Sequence, residues 1–153
     1  DRSESPSERS SKADGDEMDG EELRQLVTEK WGRPFDTRIH RRRDGFGVVK
    51  YYLQVMWKHV YQQSFHLTEE EYMDQLEAVA SLINEWQVTD YVREQIKETK
   101  QKPGIGVGSG AISGAVAVSI PLVSEDEGGQ VVPGPPPDPW QDDLPQDFKD
   151  YQK

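Results

Sequence analysis

Large apolar side chains are concentrated in the middle of this chain, and their distribution limits where a folded core can form. Residues 1–29 contain ten acidic and four basic residues and almost no large apolar side chain before Leu23. Residues 124–153 contain eight acidic residues, two basic residues and six prolines. Ordering a residue costs about 1–2 kcal/mol of conformational entropy, which such segments cannot offset by burial. We therefore predict disordered acidic tails at 1–19 and 124–153, around a single domain at 20–123.

Charge is also unevenly distributed, although the whole chain carries a net charge of −11. Residues 30–58 have eight basic and two acidic residues, whereas residues 59–103 have four basic and nine acidic residues. An acidic protein therefore contains one basic segment. We expect the acidic tails either to fold back on this segment or to keep the protein away from nucleic acid.

The absence of some residue types and segments excludes several classes of protein. The chain has no cysteine, which excludes disulfides, a thiolate nucleophile and a cysteine-ligated metal. It has no apolar run of the roughly 18–20 residues that a membrane helix needs, so we expect no transmembrane segment. The serine-rich beginning is too acidic for a transit peptide, and we expect any targeting segment to precede Asp1.

The best-defined predicted element is a helix that follows Thr68. Thr68 and Glu71 have the spacing of a capping box, and apolar residues recur at three- and four-residue spacing from Tyr72 to Trp86. A shorter amphipathic helix is predicted before Gly32, and another from Asp90 to Lys100.

Two alternating runs predict a β-hairpin. Phe35–Arg43 and Val48–Trp57 flank a loop that contains two glycines, Asp44–Gly47. The β-branched run Ala115–Val123 predicts a strand that joins the hairpin. The predicted class is therefore α+β, and its elements follow one another as helix, hairpin, two helices and strand. The Gly-rich segment 104–114 is interpreted as a flexible connector. A phosphate-binding loop is disfavoured, because such a loop would lie between a strand and a helix N-terminus.

The hairpin carries a basic cluster, which is the candidate partner-binding site. Its members are Arg38, His40, Arg41, Arg42, Arg43 and Lys50. Together with Phe46 in the loop, the cluster suits either RNA or an acidic protein surface. A solvated strand face that the acidic helices neutralise is the third interpretation. The residues alone favour the solvated face over nucleic acid, with a protein partner between the two.

No constellation of residues points to catalysis. The three histidines lie in different predicted elements and lack helical spacing with a carboxylate, which disfavours a metal site. Glu70, Asp74 and Glu77 follow the outer face of a helix, where carboxylates are solvated, whereas a catalytic carboxylate needs burial. We therefore predict a protein that is not an enzyme and has no cofactor and no metal.

The tryptophans have two different settings. Three of them end predicted apolar stripes, and we expect these to meet in one core: Trp31, Trp57 and Trp86. Trp140 lies instead in the proline-rich acidic tail, followed by Leu144 and Phe148. A polyproline segment with isolated aromatics is typical of a docking peptide, and a simple spacer is the alternative.

Several separated blocks resemble a small domain-of-unknown-function family of cyanobacteria and of algal and plant chloroplasts. The blocks are Glu22–Leu26, Trp31–Phe35, Leu53–Trp57, Ser64–Phe65, Leu67–Tyr72 and Val118–Leu122. The resemblance covers roughly residues 21–122. Segment 104–117 departs from the family pattern as a Gly-rich insertion, and the tails are not covered.

The resemblance implies a place for the protein but no activity. It implies a chloroplast location, in the stroma or peripheral to the thylakoid, and a link to oxygenic photosynthesis. We therefore expect a non-enzymatic accessory protein that assists the assembly or maintenance of a photosynthetic complex by contact with a protein partner, such as a subunit of that complex. The alternative is a stromal RNA-binding protein that uses the basic hairpin Arg38–Lys50.

Overall fold

Residues 17–105 and 115–136 are described by the structure, a computed structural model. Within these residues there are three helices: α1 (Gly20–Trp31), α2 (Glu69–Glu85) and α3 (Thr89–Glu98). The strands are, in chain order, β1 (Phe35–Arg43), β2 (Val49–His59), β3 (Gly104–Ile105), β4 (Ala115–Val116), β5 (Val118–Glu125) and β6 (Val131–Val132).

The main sheet is antiparallel, with the strand order β1-β2-β5-β6. Its centre is β2, where Leu53 lies opposite Ile39 on one side and opposite Ile120 on the other. The predicted hairpin and the predicted α+β class are both confirmed, as is the strand that joins the hairpin, although it begins at Val118 because Ala115–Val116 pair with β3. A second pair, β3 with β4, brackets the Gly-rich insertion, of which 106–114 lie outside the described residues.

Capping residues fix both ends of α1 and the start of α2. The Asp19 side chain accepts a hydrogen bond from the Glu22 amide at 2.8 Å and begins α1. Gly32 ends α1 with φ of +87°, a left-handed conformation in which glycine has no steric penalty. At the start of α2 both bonds of the predicted capping box form, at 3.1 Å and 2.9 Å, between Thr68 and Glu71.

The main core lies between the helices and one face of the sheet. Its buried members from the sheet include Leu53, Val55, Val118 and Ile120, which meet Leu76 and its neighbours on the helices. Trp86 belongs to this core and Trp31 packs against it. The prediction that all three tryptophans share it is wrong for Trp57, which is buried in a separate cluster with Met56 and Ala117. The β1–β2 register shifts between Phe35 and Thr37, and this irregularity interrupts the strict alternation on which the prediction rested.

The folded region extends beyond the predicted edges at residues 20 and 123. Met18 is buried, and its amide and carbonyl both bond the Asn84 side chain at 2.8 Å. Val123 lies inside β5, which continues to Glu125 and pairs with β6. Beyond β6, the Gly134 amide donates to the Trp86 carbonyl at 2.9 Å. Both extensions are therefore attached to the α2 end of the core.

Side chains close the outer edge of β5 where no strand pairs with it. The Gln101 carboxamide donates to the Ser119 carbonyl at 3.2 Å and accepts from the Ser119 amide at 3.0 Å. The Tyr91 hydroxyl donates to the Pro121 carbonyl at 2.8 Å. Proline fits this strand because an edge position needs no N–H donor. This stretch of edge is therefore satisfied and closed to another strand.

Candidate interaction site on the basic hairpin

The loop of the hairpin is held by one side chain. A carboxylate oxygen of Asp44 accepts from the Phe46 amide at 2.8 Å and from the Val48 amide at 3.0 Å. The Asp44 amide in turn donates to the Val48 carbonyl at 2.9 Å, and Gly47 adopts φ of +85°. The bond from the Val48 amide is the largest cause that lowers the pKa of Asp44, with Phe46 and Lys50 contributing. The loop therefore has one defined conformation with an ionised aspartate at its centre.

This loop presents an apolar tip to solvent. The Phe46 side chain is 95% exposed, and Val48 beside it is also exposed. Burying a phenylalanine side chain is worth roughly 1.5–3 kcal/mol relative to leaving it in water. A single exposed apolar residue is ordinary on a protein surface. Here, however, it stands on a clamped loop beside three consecutive arginines, and this combination requires an explanation.

Two of the six predicted basic residues form ion pairs with aspartates of the same domain. Arg38 bonds the Asp36 carboxylate at 3.1 Å, and the fully buried Asp36 also accepts from the Gln75 amide at 2.8 Å. Lys50 is only 7% exposed and lies 3.3 Å from the Asp44 carboxylate. Their charges are offset locally by these two aspartates, so they contribute little to attracting a partner.

His40 and Arg41 have an intermediate setting. The His40 ring lies 6.3 Å from the Tyr52 ring, measured between centroids. Arg41 is exposed and lies opposite Tyr51, whose hydroxyl donates to the Glu125 carboxylate. The hydrogen bond to Glu125 is the main cause that raises the pKa of Tyr51, and Arg41 acts in the opposite direction.

Arg42 and Arg43 are the most available cations of the cluster. Both are exposed, and within residues 17–105 and 115–136 no ion pair involves either of them. One Arg43 nitrogen donates to the Gly47 carbonyl at 3.0 Å, which directs this side chain along the loop. We define the hairpin tip as the exposed residues Arg41, Arg42, Arg43, Phe46 and Val48.

The structure thus divides the predicted cluster into a structural part and an exposed part. Sequence reasoning included Phe46 but missed the role of Asp44. An aspartate that begins a Gly-containing loop is a recognised signal for such a side-chain-to-backbone clamp. The predicted tail-docking residues Trp140, Leu144 and Phe148 lie outside the described residues.

Other chemistry-bearing groups are dispersed in the part of the chain that the structure describes. There, no three His, Asp or Glu side chains come together as a metal site, and no helix is long and apolar enough to cross a bilayer. His59 packs edge-on against Phe35, with ring centroids 5.6 Å apart. Burial lowers the pKa of His59, and the nearby Arg33 charge lowers it further. This histidine is therefore neutral at pH 7 and packs as part of the fold.

The chain is similar to proteins whose function is not known. Residues 21–129 match a family model described as a domain of unknown function, DUF3067. The solution NMR structure of the Alr2454 protein from Nostoc sp. strain PCC 7120 is 38% identical. The match covers 68% of this chain and 86% of that one, with a TM-score of 0.53. No curated protein matches the chain.

Proposed function

Because the chain belongs to the DUF3067 family, we propose that it is a non-enzymatic accessory protein that helps to assemble or maintain a photosynthetic complex. It acts by binding a protein partner through the hairpin tip, in the chloroplast stroma or at the thylakoid surface. The observation that carries this proposal is the 95% exposed Phe46 side chain on a clamped loop beside exposed arginines.

The composition of the hairpin tip supports a protein partner. Aromatic residues and arginine are enriched in protein–protein interfaces, and they supply most of the residues whose truncation costs binding energy. The loop is already ordered by Asp44, so a partner that buries Phe46 does not have to order it. The neutralisation of Arg38 and Lys50 by aspartates leaves a smaller positive field than the sequence implied, which disfavours a polyanion such as RNA.

The cellular setting rests on family evidence. The sequence blocks resemble a family of cyanobacteria and chloroplasts, and the similar solved structure comes from a cyanobacterium. Chloroplasts descend from cyanobacteria, and the two share the complexes of oxygenic photosynthesis. We therefore propose that a member of this family serves those complexes.

Affinity purification from chloroplasts, with mass spectrometry, tests the proposal. We expect the wild-type protein to retain subunits of a photosynthetic complex after nuclease treatment. Phe46→Ser, or Arg42→Ala with Arg43→Ala, should release them. Val132→Ser is the matched control, because Val132 is exposed in β6 at the other edge of the sheet. Retention by the tip variants equal to that of the wild type would contradict the proposal.

A stromal RNA-binding protein is the second candidate. The observation in its favour is three consecutive exposed arginines beside an exposed aromatic ring, because aromatic and guanidinium groups stack on unpaired bases. This candidate predicts affinity for chloroplast RNA that falls steeply with salt and falls again in Arg41→Ala with Arg42→Ala. In the same purification, nuclease would then remove the captured material.

A further inference from the structure

The outer edge of β1 carries backbone groups that point away from the sheet. The Thr37 carbonyl accepts from the Gln75 side chain at 2.8 Å on the side away from β2. Asp44, an even-numbered position, instead donates across the hairpin to Val48. Because strand backbone groups alternate with a period of two, the outward-facing amides and carbonyls beyond Thr37 belong to Ile39, Arg41 and Arg43.

Helix α2 covers one end of this edge and leaves the other end open. The Tyr72 hydroxyl donates to the Phe35 carbonyl at 2.7 Å, and Gln75 caps Thr37. From Ile39 to Arg43 the structure describes no such cap, and residues 41–43 are exposed. The opposite stretch of sheet edge, on β5, is closed by side chains. The fold therefore closes the β5 edge with side chains and leaves the far end of the β1 edge open.

We propose that this open edge receives an extended acidic segment of the partner protein as an added β-strand. The segment would form backbone hydrogen bonds with Ile39, Arg41 and Arg43, the mode called β-augmentation. Its carboxylates would face the exposed guanidinium groups, which alternate between the two faces of the sheet. The inference rests on the proposed function, and it specifies how the partner is held.

Charge argues for an acidic partner over a second copy of this chain. Two β1 edges paired antiparallel would place the arginine run of one strand against that of the other, and opposed like charges destabilise a strand pair. An unpaired edge is normally protected against such pairing by charged side chains. Here the protecting charges are all positive between residues 41 and 43, so an acidic strand meets attraction where a second copy meets repulsion.

The first test uses the full chain and a short capped peptide of alternating glutamate and valine. We expect binding that weakens with salt and that slows amide exchange at Ile39, Arg41 and Arg43. A peptide of the same sequence with N-methyl groups on the edge-facing amides keeps its charge but cannot pair. It should bind at least about tenfold more weakly, because each lost backbone bond is worth a factor of roughly three to ten. Equal binding of the two peptides would overturn the proposal.

The second test changes the protein itself. Arg41→Pro and Arg41→Ala both remove the charge, but only proline also removes the outward-facing amide. Proline is tolerated at such an edge position. We expect Arg41→Pro to bind the peptide about three- to tenfold more weakly than Arg41→Ala. Equal binding by the two variants would contradict strand addition. Thermal unfolding checks both variants, and if Arg41→Pro does not fold, the N-methylated peptide decides.

The outcomes separate this inference from the proposed function. If a captured photosynthetic subunit is released by Phe46→Ser but held equally by Arg41→Pro and Arg41→Ala, the function stands and strand addition is wrong. If the peptide pairs with the edge but no subunit is captured, the function fails and the edge site stands. Dimerisation that Arg41→Pro abolishes would overturn the inference, as would peptide binding seen only after removal of 137–153.

Discussion

Gly20 lies at the point where the start of α1 passes close to α2. A Cβ atom placed there would lie 2.9 Å from the backbone nitrogen of Glu77 and from two atoms of its side chain. The backbone of α2 cannot yield as a flexible side chain would. The start of α1 therefore requires glycine for space, since its φ does not lie in the left-handed region.

We predict that Gly20→Ala destabilises the fold. Overpacking costs about 1–3 kcal/mol, and the higher helix propensity of alanine offsets about 1 kcal/mol of this loss at most. Urea unfolding should therefore give a lower midpoint than in the wild type. Gly45→Ala is the control, because a Cβ there meets nothing within 4 Å, and we expect a change within about 0.5 kcal/mol. Unchanged or higher stability of Gly20→Ala would refute the close-approach argument.

The roles of individual basic residues were the part of the candidate site that the sequence predicted least well. The six basic residues of the hairpin were predictable as a group, because they all lie between residues 38 and 50 of the chain. The separation of Arg38 and Lys50 from the rest depends on the positions of Asp36 and Asp44. Those positions follow from strand register and loop geometry, which local pattern does not determine.

At the scale of elements, the hairpin loop depends on Asp44. Its pKa is lowered in the folded state, so its contribution to stability is full above the unfolded value of 3.8 and is lost as the pH falls through the folded pKa. Asp44→Asn keeps an acceptor for the two amides but has no titrating charge. We expect the wild-type amides of Phe46 and Val48 to lose exchange protection below pH 3.8, and those of the variant to change less. Identical pH profiles would exclude this role.

A second element-scale contact joins α1 to α3. Arg93 donates to both carboxylate oxygens of Glu22, at 2.7 Å and 3.0 Å, and to Asp90 at 2.7 Å. The bond to Glu22 is the largest cause that raises the pKa of Arg93, so the guanidinium stays charged at all ordinary pH. Lysine in its place keeps the charge but cannot bond both oxygens in this geometry.

We therefore predict that Arg93→Lys lowers the free energy of unfolding by about 1 kcal/mol. A fully buried bidentate pair would contribute more, but Glu22 and Asp90 are partly exposed to solvent, which weakens the interaction. Chemical denaturation measures it. Arg42→Lys serves as the matched control and should change stability by less than about 0.5 kcal/mol, since Arg42 is exposed. Equal effects of the two substitutions would show that the α1–α3 contact is energetically unimportant.

Elements differed in how far the sequence predicted them. The capping box and periodicity of α2 are local signals, and both were predicted correctly. Strand β6 is only two residues long and has no periodicity of its own. It forms because the end of β5 pairs with it and because Val131 packs against the core. Such context-dependent elements lie beyond what a local pattern can indicate.

At the scale of the whole molecule, the fold separates a stable core from one presented surface. Helices and one face of the sheet bury the apolar residues, and side chains of α3 and of the segment after it close the edge at β5. The hairpin tip and the open edge of β1 lie together on the remaining side. Sequence reasoning predicted the architecture and the basic segment, but the open edge required knowledge of the strand order.

Genetic complementation tests most directly our proposal that the hairpin tip serves a photosynthetic complex. A mutant lacking the protein is supplied with the wild type, Phe46→Ser or Val132→Ser, each at equal protein level. The levels of the thylakoid complexes are then measured at steady state and during recovery from photodamage. We predict that the wild type and Val132→Ser restore at least one complex and that Phe46→Ser does not. Normal levels of every complex in the mutant itself, under both conditions, would contradict the account.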